Sequence, residues 1–144
     1  MPQSLDKEKP VNLDKAADDM KFSNAVQFIN LKLYNKALEE LQEYLEVFIQ
    51  GNHRPEAYRQ VAEIYFQRFD YQKTVKVYRA LFEEFNNTED GIEAFYNIGL
   101  CYKKMGYDKK ALEVFTSIVT DYQGSNYVPQ AQLQIDLYKI LNNN

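Results

Sequence analysis

The sequence predicts an all-α fold, a stack of about seven helices arranged as antiparallel hairpins. Three observations predict it. Large apolar residues recur at helical and not at strand spacing, the same pattern returns every 37 residues, and turn-forming residues are few. Only 5 Gly and 4 Pro occur in 144 residues, too few for the many tight connections of a β fold. The 12 Tyr and 9 Phe, with no Trp, are large side chains that repeat proteins wedge between helices.

Residues 1–13 (MPQSLDKEKPVNL) are polar, carry Pro2 and Pro10 and show no period, so a flexible arm is expected there. Helices follow near 14–33 and 35–50, 55–69 and 71–86, 90–105 and 108–122, with a last one near 127–142. Turn residues separate them: Gly51-Asn52 with Pro55, Asn86-Asn87 with Gly91, Gly106, and Gly124-Ser125 with Pro129. The short connections inside pairs force antiparallel hairpins. One domain over 14–144 is expected, with repeats at about 14–50, 55–86 and 90–122 and a closing helix at 127–142.

The 37-residue shift superposes Ala25, Ala62 and Gly99, and three positions later Phe28, Tyr65 and Tyr102. It superposes Ala57, Ala94 and Ala131, and likewise Val61, Ile98 and Ile135. In the second helices it matches Ala37, Thr74 and Ala111; Leu38, Val75 and Leu112; and Leu41, Tyr78 and Phe115. Tyr44, Leu81 and Ile118 follow, then Leu45, Phe82 and Val119, then Phe48, Phe85 and Tyr122. Within each unit this is one apolar helical stripe. A single hairpin cannot bury that stripe, so neighbouring units must stack.

A small residue followed by an aromatic three further on and another small residue beyond resembles the tetratricopeptide repeat family. The third unit matches best, with Phe95, Ile98, Gly99, Tyr102, Gly106, Ala111, Phe115 and Ile118 on signature positions. Lys21 and Asn24 depart from it, as do Thr74 and the early Tyr107. The resemblance covers about residues 18–141 and implies a right-handed α-solenoid. The longer period, with Ala94 to Gly99 and the Tyr122–Ser125 stretch, is also similar to bacterial envelope members of the family. Those are the Tol–Pal accessory proteins and outer-membrane assembly lipoproteins, although Gln123 stands where they usually carry Pro.

Little in the chain points to catalysis. His53 is the only histidine and is expected exposed in the Gly51–Pro55 turn; Cys101, the only cysteine, is expected as a buried filler. No ligand spacing suggests a metal and no glycine loop a phosphate. Asp18-Asp19, Glu39-Glu40 and Glu83-Glu84 are expected on solvated helix faces. Catalytic, cofactor and metal residues are therefore expected to be none. The net charge of −4, with no basic run longer than Lys103-Lys104 or Lys109-Lys110, argues against nucleic acid. No segment reaches the ~20 apolar residues of a membrane span. One cysteine allows no intrachain disulfide.

The resemblance implies that first helices line a concave groove. Its outward positions fall on Phe22, Val26 and Ile29, then Arg59, Glu63 and Phe66, then Tyr96, Leu100, Lys103 and Lys104. Family members that bind chaperone tails hold a carboxylate there with Lys, Asn and Arg. Here Phe22, Val26, Glu63, Tyr96 and Leu100 stand in those places, so chaperone C-termini are not expected as partners. On the last helix Ala131, Ile135 and Tyr138 form a stripe able to pack on the third unit. Leu133, Leu137 and Ile140 form a second stripe, rotated by roughly half a turn. Four placements are open to it: the groove, a homodimer seam, a contact with further repeats, or partial cover by the superhelix itself.

The expected function is a non-enzymatic scaffold or adaptor for another protein. Its partner-binding residues are Arg59, Phe66, Tyr96, Leu100, Lys103, Leu133, Leu137 and Ile140. The alternative is a self-associating or permanently assembled subunit of an envelope or motility complex; an enzyme or its regulatory subunit is a third reading. The compartment is cytoplasmic if Met1 is the native start and periplasmic if a leader was removed.

Overall fold

Seven α-helices and no strand make up the described residues, 12–143, of a computed structural model, the all-α helical-repeat fold expected. Residues 1–11 of the expected arm lie outside the described residues. The helices are α1 (Leu13–Asn30), α2 (Tyr34–Val47), α3 (Arg54–Gln67), α4 (Tyr71–Glu84), α5 (Glu89–Lys104), α6 (Asp108–Asp121) and α7 (Val128–Asn142). Two compact units result, the first ending at Arg54 and the second beginning at Pro55.

The turns inside pairs repeat as faithfully as the core. The backbone N–H groups of Leu33, Asp70 and Tyr107 donate to the carbonyls of Phe28, Tyr65 and Tyr102. Lys32, Phe69 and Gly106, one residue earlier, all have a positive φ. This is the Schellman ending, in which a left-handed residue lets the chain satisfy the helix's last carbonyls. It stops α1 at Asn30, three residues before its apolar pattern ends. Only Gly106 adopts that backbone without strain. Phe69 holds it at φ 62° while 78% exposed, so its side chain offers little burial in return. Phe69→Gly is expected to raise stability by about 1 kcal/mol, read as a higher denaturation midpoint.

In the first unit Ala25 of α1 and Ala37, Leu38, Leu41 and Tyr44 of α2 are buried. Lys21, which departs from the repeat pattern, is half-buried and bridges α1 to α2 by ion pairs with Glu40 (3.1 Å) and Glu43 (2.5 Å). The expected solvated position of Asp18 is wrong. It is 5% exposed, accepts from the Tyr44 hydroxyl, and accepts the Asn52 backbone N–H at 2.7 Å. The Tyr44 oxygen in turn accepts the His53 N–H at 2.8 Å. Arg54, also buried, donates to the Leu45 and Phe48 carbonyls at 2.7 and 2.9 Å, closing the C-terminal end of α2.

The second unit packs α3 to α7 around one core. Ala62, Tyr78, Leu81, Ala94, Ile98, Ala111, Phe115, Ile118, Ala131 and Ile135 are among its members. Close approach of α5 and α6 depends on Gly99, where a Cβ would meet the Phe115 ring at 2.6 Å. Thr74, fully buried in place of the usual small residue, satisfies its hydroxyl on the Asp70 carbonyl at 2.8 Å. The helix starts use side-chain caps where the sequence supplies them: Asp70 accepts the Lys73 N–H and Thr88 the Gly91 N–H. Asp136 occupies the place equivalent to Ala62 and Gly99. It is exposed and hydrogen-bonded to Gln132, so α7 lacks the small residue at which a second helix would dock. No helix of the described residues is long and apolar enough to cross a membrane.

Candidate functional site

The 37-residue register places α3, α5 and α7 in equivalent roles, and it defines three rows within the second unit. Arg59, Tyr96 and Leu133 form the first row, Glu63, Leu100 and Leu137 the second, and Phe66, Lys103 and Ile140 the third. All eight expected partner-binding residues fall in these rows, Glu63 being the ninth member. The rows differ in how far their side chains are already committed.

All three guanidinium nitrogens of Arg59 are engaged. Its Nε donates to Glu93 Oε1 at 2.7 Å, one terminal nitrogen to Asp90 Oδ1 at 2.7 Å, and the other to Glu56. Partial burial alone would lower the guanidinium pKa; Glu93 and Glu56 reverse this, and the net shift is upward. Tyr127, at the start of α7, donates its hydroxyl to the other oxygen of Glu93. Burial, followed by that bond, pushes the Tyr127 pKa up to about 12. Arg59 therefore ties α3 to α5 and is not a free cation for a ligand.

Tyr96 is half-buried, its ring centroid 5.4 Å from Phe115 and 5.7 Å from Tyr127. Gln134 of α7 joins two rows: its Nε2 donates to the Tyr96 hydroxyl at 3.4 Å and its Oε1 accepts from Lys103 Nζ at 2.8 Å. Leu137 and Lys103 border a small cleft of about 80 Å³ with Leu112, Phe115, Tyr138 and Leu141. Leu133, Leu137 and Ile140 remain 56%, 38% and 64% exposed. The second apolar stripe of α7 is thus left open by the unit it belongs to.

Phe66, Leu100 and Lys103 come together around a pocket of about 450 Å³, with Tyr78, Asn97, Cys101 and Lys104 completing its wall. Tyr78, Asn97 and Cys101 were not expected at a site. Tyr78 belongs to the second-helix stripe that reads as core, and the fold places it on the pocket wall as well. Cys101 is 1% exposed, and burial pushes its thiol up to about 11. At neutral pH it is a protonated thiol and not a nucleophile.

In the first unit, Phe22 does not stand free. Its ring stacks on His53 with centroids 4.5 Å apart and an interplanar angle of 1°. His53 Nε2 lies 2.7 Å from Asp19 Oδ1, so the expected exposed loop histidine is instead half-buried and partnered. Ligand atoms of Asp18, Asp19 and His53 lie within 4.8 Å of one another. Each carboxylate is already taken: Asp18 by Tyr44 and Asn52, Asp19 by His53 and by Lys15 at 2.9 Å. The cluster holds the turn before α3 against α1 and α2, a structural duty that explains all of its bonds.

Residues 93–125, from within α5 to just past α6, match the family model described as tetratricopeptide repeat. No curated protein matches the chain.

Proposed function

We propose that this chain, a tetratricopeptide-like repeat protein, is a protein-interaction scaffold that receives a segment of another protein along the α3–α5–α7 face. The observation that carries the reading is the open stripe of α7. Leu133, Leu137 and Ile140 continue, at the repeat's own spacing, the rows begun by Arg59 and Tyr96, Glu63 and Leu100, and Phe66 and Lys103. A terminal helix with no binding duty keeps its outer face polar. Here the polar positions Gln132, Asp136 and Lys139 lie off these rows, and the exposed apolar ones other than Leu141 lie along them. Contiguous exposed apolar surface of this kind marks interaction sites. A non-enzymatic role fits the buried, protonated Cys101 and the engagement of His53 with Asp19 and Phe22.

The test is capture of a partner from a lysate of the source organism by wild type and by the double variant Leu133→Asp with Leu137→Asp. Both positions are exposed, so circular dichroism is expected to show unchanged helicity while capture is lost. An unfolded double variant would make the stripe core and sink the assignment. The same exposed leucines favour a second reading, self-association through α7. Light scattering separates the two: a strict monomer at high concentration removes self-association, and a dimer abolished by the double variant establishes it.

A further inference from the structure

The pocket between α3, α4 and α5 has a feature that a mere packing gap lacks. Tyr78 is 6% exposed, and its hydroxyl has no hydrogen-bond partner among the described residues. Among the described residues no side-chain nitrogen or oxygen sealed from solvent is left unsatisfied, so this hydroxyl keeps an opening, and Tyr78 lies on the pocket wall. A nearly buried phenol without a partner is costly unless something polar meets it. The Asn97 amide borders the same space, likewise without a bonded partner among the described residues. Phe66 and Leu100 supply apolar walls, and the charged residues on the lining, Lys103 and Lys104, are both positive. Lys103 gives one proton to Gln134 and keeps two, while Lys104 makes no ion pair among the described residues. The pocket lining itself carries no carboxylate to compete with an incoming one for Lys103 and Lys104.

We propose that this pocket is an anchor site for an apolar-acidic segment of a protein partner, taking a Phe or Leu side chain between Phe66 and Leu100. The carboxylate of an adjacent Asp or Glu meets Lys103 and Lys104, and a main-chain polar group of the segment meets the Tyr78 hydroxyl and the Asn97 amide. The volume of about 450 Å³ admits one large side chain with its neighbouring backbone and no more. This rests on the scaffold reading and gives it a partner chemistry. It also differs from a clamp for a chain-terminal carboxylate, because the charge here is taken from a side chain beside an apolar anchor.

The probe is a capped peptide, acetyl-Ser-Gly-Phe-Glu-Gly-Ser-amide, titrated at low salt into the ¹⁵N-labelled full chain. Three controls replace its Glu by Gln, its Glu by Lys, and its Phe by Ala. Amide shifts are expected to centre on Asn97, Leu100, Cys101, Lys103 and Lys104. The Glu peptide is expected to bind about fivefold more tightly than the Gln peptide, a gap that closes with salt. The Lys and Ala peptides should be the weakest. The gap should vanish in Lys103→Gln with Lys104→Gln, and Tyr78→Phe, which keeps the ring, should weaken the Glu and Gln peptides alike. Equal binding of the Glu and Gln peptides overturns the proposal, as does the absence of pocket shifts at millimolar peptide. If partner capture by the wild-type chain still depends on Leu133 and Leu137, such a failure removes the anchor chemistry and leaves the scaffold reading standing.

Discussion

Gly99→Leu is expected to destabilise the second unit by about 3 kcal/mol, the cost of forcing a branched side chain into a packed helix contact. Even the first added carbon would stand 2.6 Å from the Phe115 ring, which is itself only 2% exposed. Phe115 also touches Tyr96, so its displacement would disturb the α5 row as well as the α5–α6 contact. The helix itself would gain, since Leu favours helix over Gly by nearly 1 kcal/mol, so the packing cost exceeds the net loss by about that amount. Denaturant unfolding checks it: a lowered midpoint with an unchanged slope is the expected result. An undiminished midpoint would mean that α5 and α6 do not meet as closely as Gly99 requires.

Asp18→Ala is expected to cost the first unit about 3 kcal/mol, since two donors would lose a charged acceptor at once. The Tyr44 hydroxyl and the Asn52 N–H both end on that carboxylate, and Tyr44 is fully buried. Tyr44→Phe is the companion measurement. It removes one hydroxyl but leaves Asp18 its bond to Asn52, and its smaller expected loss tests whether the carboxylate is the hub. Hydrogen exchange at the Asn52 and His53 amides gives a local readout, because both N–H groups end in this network. Fast exchange in Asp18→Ala, with the amides of α5 and α6 still protected, is the expected pattern.

Much of the fold was legible because repetition averages out local ambiguity. Any one of the pairs Ala62 and Tyr65 or Gly99 and Tyr102 is weak evidence alone. Three copies in one register make helix, hairpin and stacking the consistent answer. Even the left-handed turn residue obeys the period, although Phe69 in that place hides it from any rule that looks for glycine. The rows through Tyr96, Leu100 and Leu133 follow from the same 37-residue register.

What escaped the sequence are interactions with no period. Asp18 reads as half of an exposed acidic pair, and nothing local marks it as the acceptor for Tyr44 and Asn52, 26 and 34 residues away. Arg59 reads as a groove cation, yet Glu56, Asp90 and Glu93 consume it, and that depends on where α5 passes α3. Tyr78 reads as core, which it is, apart from one hydroxyl. Spacing along the chain is enough to read the helices, their pairing and the faces they turn inward, because apolar burial follows the period of one helix. Which polar atoms are satisfied depends on how the helices pack, since a hydrogen bond is settled by tenths of an ångström between them. The open hydroxyl of Tyr78, the closed hands of Arg59 and the buried carboxylate of Asp18 are all of that second kind.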